Sequence, residues 1–136
     1  MATIYKEFDV AVPAGFAWEA IKDVGAIHER LVKGFVTSTT LEGNVRTVTF
    51  GNGMVVKEHI LSVNDDARRI AYTAVGGRAT HHNASLQVTP ISERASRLVW
   101  ITDLLPAEMQ APVAQMVEAG SAAMKATLES AFQKSA

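Results

Sequence analysis

The stretch from Pro106 to the C-terminus constrains the fold most, because it predicts one long amphipathic helix. Its apolar and small residues recur at spacings of three and four, which places them on one helix face. They are Val113, Met116, Val117, Gly120, Met124, Leu128, Ala131 and Phe132. Pro106 and Pro112 suit a helix start, since the first turn does not need all its N–H groups. A helix with so long an apolar face must be covered by another layer.

The rest of the chain predicts that covering layer to be an antiparallel β-sheet. Alternating residues from Thr3 to Val12 predict a first strand, and Ala14–Val24 and Ala26–Val32 predict two short helices after it. Further strands are predicted at 35–41, 45–50, 54–60, 70–75, 80–89 and 97–104, separated by Gly-, Asn- and Asp-rich turns. The fold class is therefore α+β, with six to seven strands and a long C-terminal helix.

The clearest hairpin fixes which side chains lie beside each other. A three-residue loop, Gly51–Gly53, places Phe50 opposite Met54 and makes that side of the hairpin the inward one. Counting outward, Val48 faces Val56 and Arg46 faces Glu58 on the same inward face. In a later hairpin, pairing of Val88 with Leu98 brings Leu86 to Trp100 and His82 to Leu104.

The predicted inward faces carry too many polar groups for a dry core. They are Arg46, Glu58, Tyr72, His82 and Thr102. Each would cost a few kcal/mol if it were buried without a partner (~2–7 kcal/mol). The sequence therefore predicts water or a ligand in the space between the sheet and the long helix.

Composition narrows the possible partners. The net charge is −1 without a Lys/Arg cluster, which argues against nucleic acid, and there are no cysteines for a disulfide or thiolate site. No apolar run approaches a membrane span of ~18 residues. The charged N-terminus is unlike a signal peptide, so we expect a cytoplasmic protein. The length predicts a single domain, 1–136. Neighbouring His81 and His82 point to opposite faces of a strand, so we expect no metal site.

Three segments resemble the START-like superfamily, and its polyketide cyclase/dehydrase and lipid-transport branch in particular. They are VPAGFAWEAIKDV at 12–24, GNVRTVTFGNGMVVKEHI at 43–60 and SRLVWITDLLP at 96–106. The resemblance implies a helix-grip fold, in which a curved sheet wraps around the last helix and encloses a cavity for a small hydrophobic or aromatic molecule. It also implies that Arg46, Glu58, Tyr72, His82 and Trp100 line or border the cavity, with Met116, Gly120 and Met124 opposite. The second short helix departs from many relatives, and His28 is expected to shape the cavity mouth differently.

Two functions follow as the main alternatives, and an interaction module with a sealed core is a third. The first is a module that binds or transports a small hydrophobic or amphipathic metabolite, as a monomer or homodimer. The second is a cofactor-independent cyclase, dehydratase or lyase, in which Arg46 stabilises an enolate and His82 or Glu58 transfers protons. Each residue also has a structural interpretation: Arg46 and Glu58 as a cross-strand ion pair, His82 as a satisfied histidine, Tyr72 as a packed ring. Met116 and Met124 suit an adaptable surface or simple gap filling, and Gly120 suits close helix–sheet contact.

Overall fold

Residues 1–135, which the computed structural model describes, form seven strands and three α-helices. The strands are β1 (Ala2–Val10), β2 (Val36–Glu42), β3 (Val45–Phe50), β4 (Val55–Asn64), β5 (Arg69–Val75), β6 (His81–Ser92) and β7 (Ala95–Leu105). The helices are α1 (Ala14–Lys22), α2 (Ile27–Arg30) and α3 (Gln110–Ser135), and a 3-10 turn (Ala107–Met109) precedes α3. The order confirms the predicted one: a strand, two short helices, six strands and a long helix.

All seven strands of this described region belong to one antiparallel sheet in the order β1-β7-β6-β5-β4-β3-β2. The helix α3 lies against one face of the sheet and also contacts β1. This arrangement confirms the predicted helix-grip fold. The sheet is open, and β1 and β2 are its edge strands. The segment of the chain that connects these two strands contains α1 and α2.

The predicted strand register is confirmed in both hairpins. Arg46 pairs with Glu58 and Val48 with Val56 across β3 and β4. Across β6 and β7, His82 pairs with Leu104, Leu86 with Trp100, and Val88 with Leu98. Because side chains alternate between the faces of a strand, a correct register also gives the correct inward set.

Several element boundaries differ from those predicted. The strand β1 ends at Val10, and the last helix begins at Gln110 because Pro106 is extended, with ψ 162°, and a 3-10 turn follows it. The helix α2 covers only four residues. The strand β4 continues to Asn64 across a bulge at Leu61, which alternation alone does not reveal because a bulge interrupts it.

The main core lies between the sheet, α1 and the C-terminal half of α3. Its fully buried members include Ile21, Leu98 and Leu128, each with 0% of its surface exposed. A smaller apolar cluster joins Ala2, Ile4, Leu104 and Val117 under the N-terminal half of α3. Met54 corrects the sequence interpretation, because it is 42% exposed rather than inward-packed. It lies beside the tip of the β3–β4 hairpin, where the sheet face is no longer covered.

Candidate functional site

A cavity of about 70 Å³ lies between α2, the inward face of the sheet and the middle of α3. Its lining is mostly apolar: Ile27, Leu31, Val32, Phe35, Val36, Val48, Phe50, Ile70, Leu86, Trp100 and Met124. Three of the lining residues are polar: Arg46, Glu58 and Tyr72. Five of the nine residues expected to bind ligand therefore border one space, namely Arg46, Glu58, Tyr72, Trp100 and Met124.

The polar wall of the cavity is built on the β3–β4 pairing. Arg46 is only 3% exposed, and its Nε and Nη2 atoms lie 2.9 and 2.7 Å from Glu58 Oε1. The Nη1 atom donates a 3.3 Å hydrogen bond to the carbonyl of Val24. Both strong contacts use one carboxylate oxygen, so the ion pair is not a two-oxygen fork. Within residues 1–135, no hydrogen-bond donor of the protein reaches Glu58 Oε2.

Tyr72 completes the polar wall from β5. Its hydroxyl oxygen accepts a 3.1 Å hydrogen bond from Trp100 Nε1, and its ring lies 5.1 Å from the Arg46 guanidinium carbon, a cation–π distance. Burial raises the pKa of the Tyr72 phenol, the charge of Glu58 raises it further, and Arg46 opposes these effects only in part. Tyr72 is therefore a neutral hydrogen-bonding group at any ordinary pH.

His82 lies behind Tyr72 rather than on the cavity wall. Its Nδ1 accepts a 3.0 Å hydrogen bond from the Ala74 N–H, and its carbonyl accepts one from the Thr73 hydroxyl. The β5–β6 pairing ends at Tyr72 and Ala84, so these side-chain contacts continue where the backbone ladder stops. Burial lowers the pKa of the imidazole. With Nδ1 accepting, the proton of the neutral ring is on Nε2.

The remaining residues expected at the site lie around the cavity. Thr102 is 2% exposed and packs between Ile4 and Ala84, away from the lining. Gly120 lies against Trp100 and Phe35: a Cβ built on it would be 3.0 and 3.3 Å from their rings. A side chain at this position would therefore push both rings toward the cavity.

Met116 borders a second, outer hollow of about 220 Å³. The other residues around it are Gly34, Phe35, Phe50, Gly51 and Asn52. Phe35 and Phe50 border both spaces and pack edge to face with ring centroids 5.4 Å apart. The two rings form a partition between the inner cavity and the outer hollow.

Sequence reasoning did not assign Phe35, Phe50, Ile27 of α2 or Leu31, which directly follows α2, to the site. For the two aromatic residues, the sequence contains a local indication of their position. Phe35 follows the Lys33–Gly34 turn, and Phe50 precedes the Gly51–Gly53 turn. A hydrogen bond of 2.9 Å from the Gly51 N–H to the Phe35 carbonyl joins the two turns. His28, expected near the mouth, does not border the cavity, and its Nδ1 is buried without a hydrogen-bond partner in the described part of the chain.

Two further findings concern the described residues as a set. No helix within residues 1–135 is both long and apolar enough to cross a membrane. The same residues contain no group of three or more His, Asp or Glu side chains arranged to hold a metal ion.

The sequence and the fold are similar to those of known proteins. Residues 1–134 match the protein family described as "Polyketide cyclase / dehydrase and lipid transport". No curated protein matches the sequence. The fold is similar to that of a Thermobifida fusca protein solved by NMR (27% identity, 92% of this chain and 91% of that chain, TM-score 0.75). It is also similar to that of norcoclaurine synthase from Thalictrum flavum in complex with dopamine and hydroxybenzaldehyde (20% identity, 98% of this chain and 87% of that chain, TM-score 0.75). A START superfamily protein from Mycobacterium smegmatis is a third similar structure (13% identity, 98% of this chain and 99% of that chain, TM-score 0.75).

Proposed function

Because the chain belongs to the START-like polyketide cyclase/dehydrase and lipid-transport family, we propose that it binds or transports a small hydrophobic or amphipathic molecule between the sheet and α3. One observation carries the proposal: an apolar cavity whose polar groups form a single cluster, Arg46, Glu58 and Tyr72. Pockets of this kind gain affinity from apolar area and orientation from a few polar groups. A purely structural role for a buried ion pair does not require a space beside it.

The size of the cavity indicates how such a ligand would be accommodated. Its 70 Å³ exceeds the ~10–15 Å³ that one water needs but is smaller than a cavity of ~150 Å³ that holds benzene. Even a ligand with a single ring must therefore displace the Phe35–Phe50 partition, and a larger ligand must extend into the outer hollow of 220 Å³. Met116 and Met124 suit this requirement, because thioether side chains repack readily around different shapes.

Tryptophan fluorescence offers a direct test, because one of the two tryptophans lines the cavity. Trp18 lies elsewhere and donates to Asp65, so a Trp18→Phe variant reports only on Trp100. We expect saturable changes in emission when this variant is titrated with fatty acids, alkylphenols and aromatic polyketides. Native mass spectrometry should show one ligand per chain. If no compound of these three classes changes the emission or adds mass, the binding proposal is wrong.

The enzymatic alternative has its own support. The family description includes cyclases and dehydrases, and norcoclaurine synthase shows that an enzyme can have this fold. Arg46 would stabilise an enolate, and Glu58, which lines the cavity, is placed better than His82, which does not, to transfer a proton. For an enzyme, Glu58→Gln should abolish turnover of a bound polyketide while substrate still binds. If Glu58→Gln only weakens binding, and the parent protein shows no measurable turnover, the binding module is favoured.

A further inference from the structure

The charges on the cavity wall cancel one another. The Arg46 guanidinium contacts Glu58 Oε1 at 2.7 and 2.9 Å and donates a hydrogen bond to the Val24 carbonyl at 3.3 Å, so its charge is matched by one carboxylate. The two side chains are 4% and 12% exposed, so little water screens them. A charged ligand group would therefore enter a buried site without an unmatched opposite charge, and it would lose its hydration on the way.

Besides the N–H groups of Arg46 that Glu58 and Val24 leave over, the wall has one donor and one acceptor without a protein partner among residues 1–135. The Tyr72 oxygen accepts from Trp100 Nε1, and among residues 1–135 nothing accepts its own O–H. Glu58 Oε2 is the complementary acceptor, since both Arg46 contacts use Oε1. A group that accepts from Tyr72 and donates to Glu58 would satisfy both.

The electrostatic environment of Tyr72 disfavours an anion at the same place. Glu58 raises the pKa of its phenol more than Arg46 lowers it, and burial raises the pKa most. A ligand carboxylate beside the Tyr72 hydroxyl would experience the same burial and the same pair of charges.

We infer that the cavity selects a neutral ligand head that both accepts and donates a hydrogen bond, namely a phenol or alcohol hydroxyl, over a carboxylate or an ammonium group. This inference rests on the proposed binding function and specifies its ligand class. It also assigns Trp100 a positioning role, because the bond from Nε1 occupies the Tyr72 oxygen and leaves the O–H to donate.

Four compounds with one ring and one methyl group test the inference: p-cresol, 4-methylbenzoate, 4-methylbenzylamine and, without a polar head, p-xylene. Calorimetric titration at pH 7 should show p-cresol binding about tenfold or more tightly than each of the others, as two net hydrogen bonds allow. Equal affinity for p-xylene, or tighter binding of the benzoate or the amine, overturns the inference but leaves the binding function intact. Absence of binding by all four overturns the inference, whereas binding of larger lipids or polyketides would still support the function.

Two variants locate the selectivity. Tyr72→Phe should reduce the preference for p-cresol over p-xylene by about tenfold. Tyr5→Phe is the matched control, because Tyr5 is the only other tyrosine in the sequence, is 58% exposed and lies outside the cavity.

Glu58→Gln should reverse the charge preference, because Arg46 then lacks a carboxylate, and 4-methylbenzoate should gain affinity by about tenfold or more. Circular dichroism establishes that each variant is folded, and an unchanged ranking of the compounds in folded Glu58→Gln contradicts the inference.

Discussion

At the scale of single residues, the central feature is a guanidinium that the fold buries almost completely. Arg46 is inward because β3 and β4 pair with Arg46 opposite Glu58, and the partner carboxylate offsets the cost of removing the charge from water. Tyr72 and Trp100 extend this pair into a connected polar group. The stability of the site and the ligand recognition that we propose for it therefore depend on the same side chains.

Removing one member of the pair should be costly. Arg46→Met leaves the Glu58 carboxylate nearly buried without its partner, and we expect a loss of about 3 kcal/mol in the free energy of unfolding. The double variant Arg46→Met/Glu58→Leu should recover most of this loss, because both charges are then absent. Urea unfolding at pH 7 measures each value.

An exposed ion pair provides the control for that series. Arg97 contacts Asp9 at 2.8 Å, with the two side chains 44% and 55% exposed. Arg97→Met should cost less than about 1 kcal/mol. If Arg46→Met costs no more than Arg97→Met, the buried pair does not contribute as described.

His82 should make stability depend on pH. Burial lowers its pKa in the folded protein, so below pH ~6.5 the unfolded chain binds the proton more readily than the folded one. Stability attributable to this group is complete above that pH and is lost as the pH falls. The stability advantage of the parent protein over His82→Gln should therefore shrink between pH 7 and pH 5 in urea unfolding.

One outcome would contradict this prediction: a constant difference in the free energy of unfolding between the parent and His82→Gln from pH 7 to pH 5. That result would mean that burial does not lower the pKa of the His82 imidazole in the folded protein.

At the scale of elements, the central part of α3 is shaped to leave room for aromatic rings. Gly120 allows Trp100 and Phe35 to approach the helix backbone, and Met124 borders the inner cavity one turn further along. Further toward the C-terminus, Leu128 packs completely. One helix thus provides both a flexible cavity wall and a closed core.

Replacing Gly120 by alanine separates helix propensity from packing. Propensity alone would stabilise an interior helical position by about 1 kcal/mol. Because the added Cβ would lie 3.0 Å from the Trp100 ring, we expect instead a net loss of about 1–2 kcal/mol and a shift in Trp100 emission in the Trp18→Phe background. Thermal unfolding and fluorescence measure the two effects.

Gly15 in α1 is the matched control for Gly120. It is exposed, and the nearest atom to a Cβ built there is 3.9 Å away on the Arg68 side chain. Gly15→Ala should stabilise by a few tenths of a kcal/mol, up to about 1. If Gly120→Ala stabilises as much as Gly15→Ala, the close approach of Trp100 does not limit this position.

At the scale of the whole molecule, the first strand and the last helix hold each other in place. Lys6 contacts Glu118 at 2.9 Å, and the Glu129 carboxylate accepts a 2.8 Å hydrogen bond from the Ala11 N–H. At the opposite end of the sheet, β2 and β3 contribute to the cavity together with α2. The molecule is therefore closed at the β1 side and hollow toward the β2–β3 side.

Truncations along α3 should reveal this asymmetry. Leu128→Ala removes a fully buried side chain and should cost about 2–5 kcal/mol. Met116→Ala, half-buried at the outer hollow, should cost less than about 1 kcal/mol while changing the rate of ligand association. Chemical unfolding and stopped-flow fluorescence test the pair, and equal losses of stability would contradict the division of α3 into core and cavity wall.

The element order, both hairpin registers and the inward position of Arg46, Glu58 and Tyr72 could all be predicted from the amino-acid sequence. These features follow from local periodicity and turn chemistry, in which residues close in the chain specify one another. The tertiary structure alone decided that His82 hydrogen-bonds Ala74 behind the cavity wall, that Thr102 is packed away from it and that Phe35 meets Phe50. Such contacts depend on where strands separate and where distant turns meet. Strand alternation specifies only the face on which a side chain lies, and packing between elements decides what it contacts there.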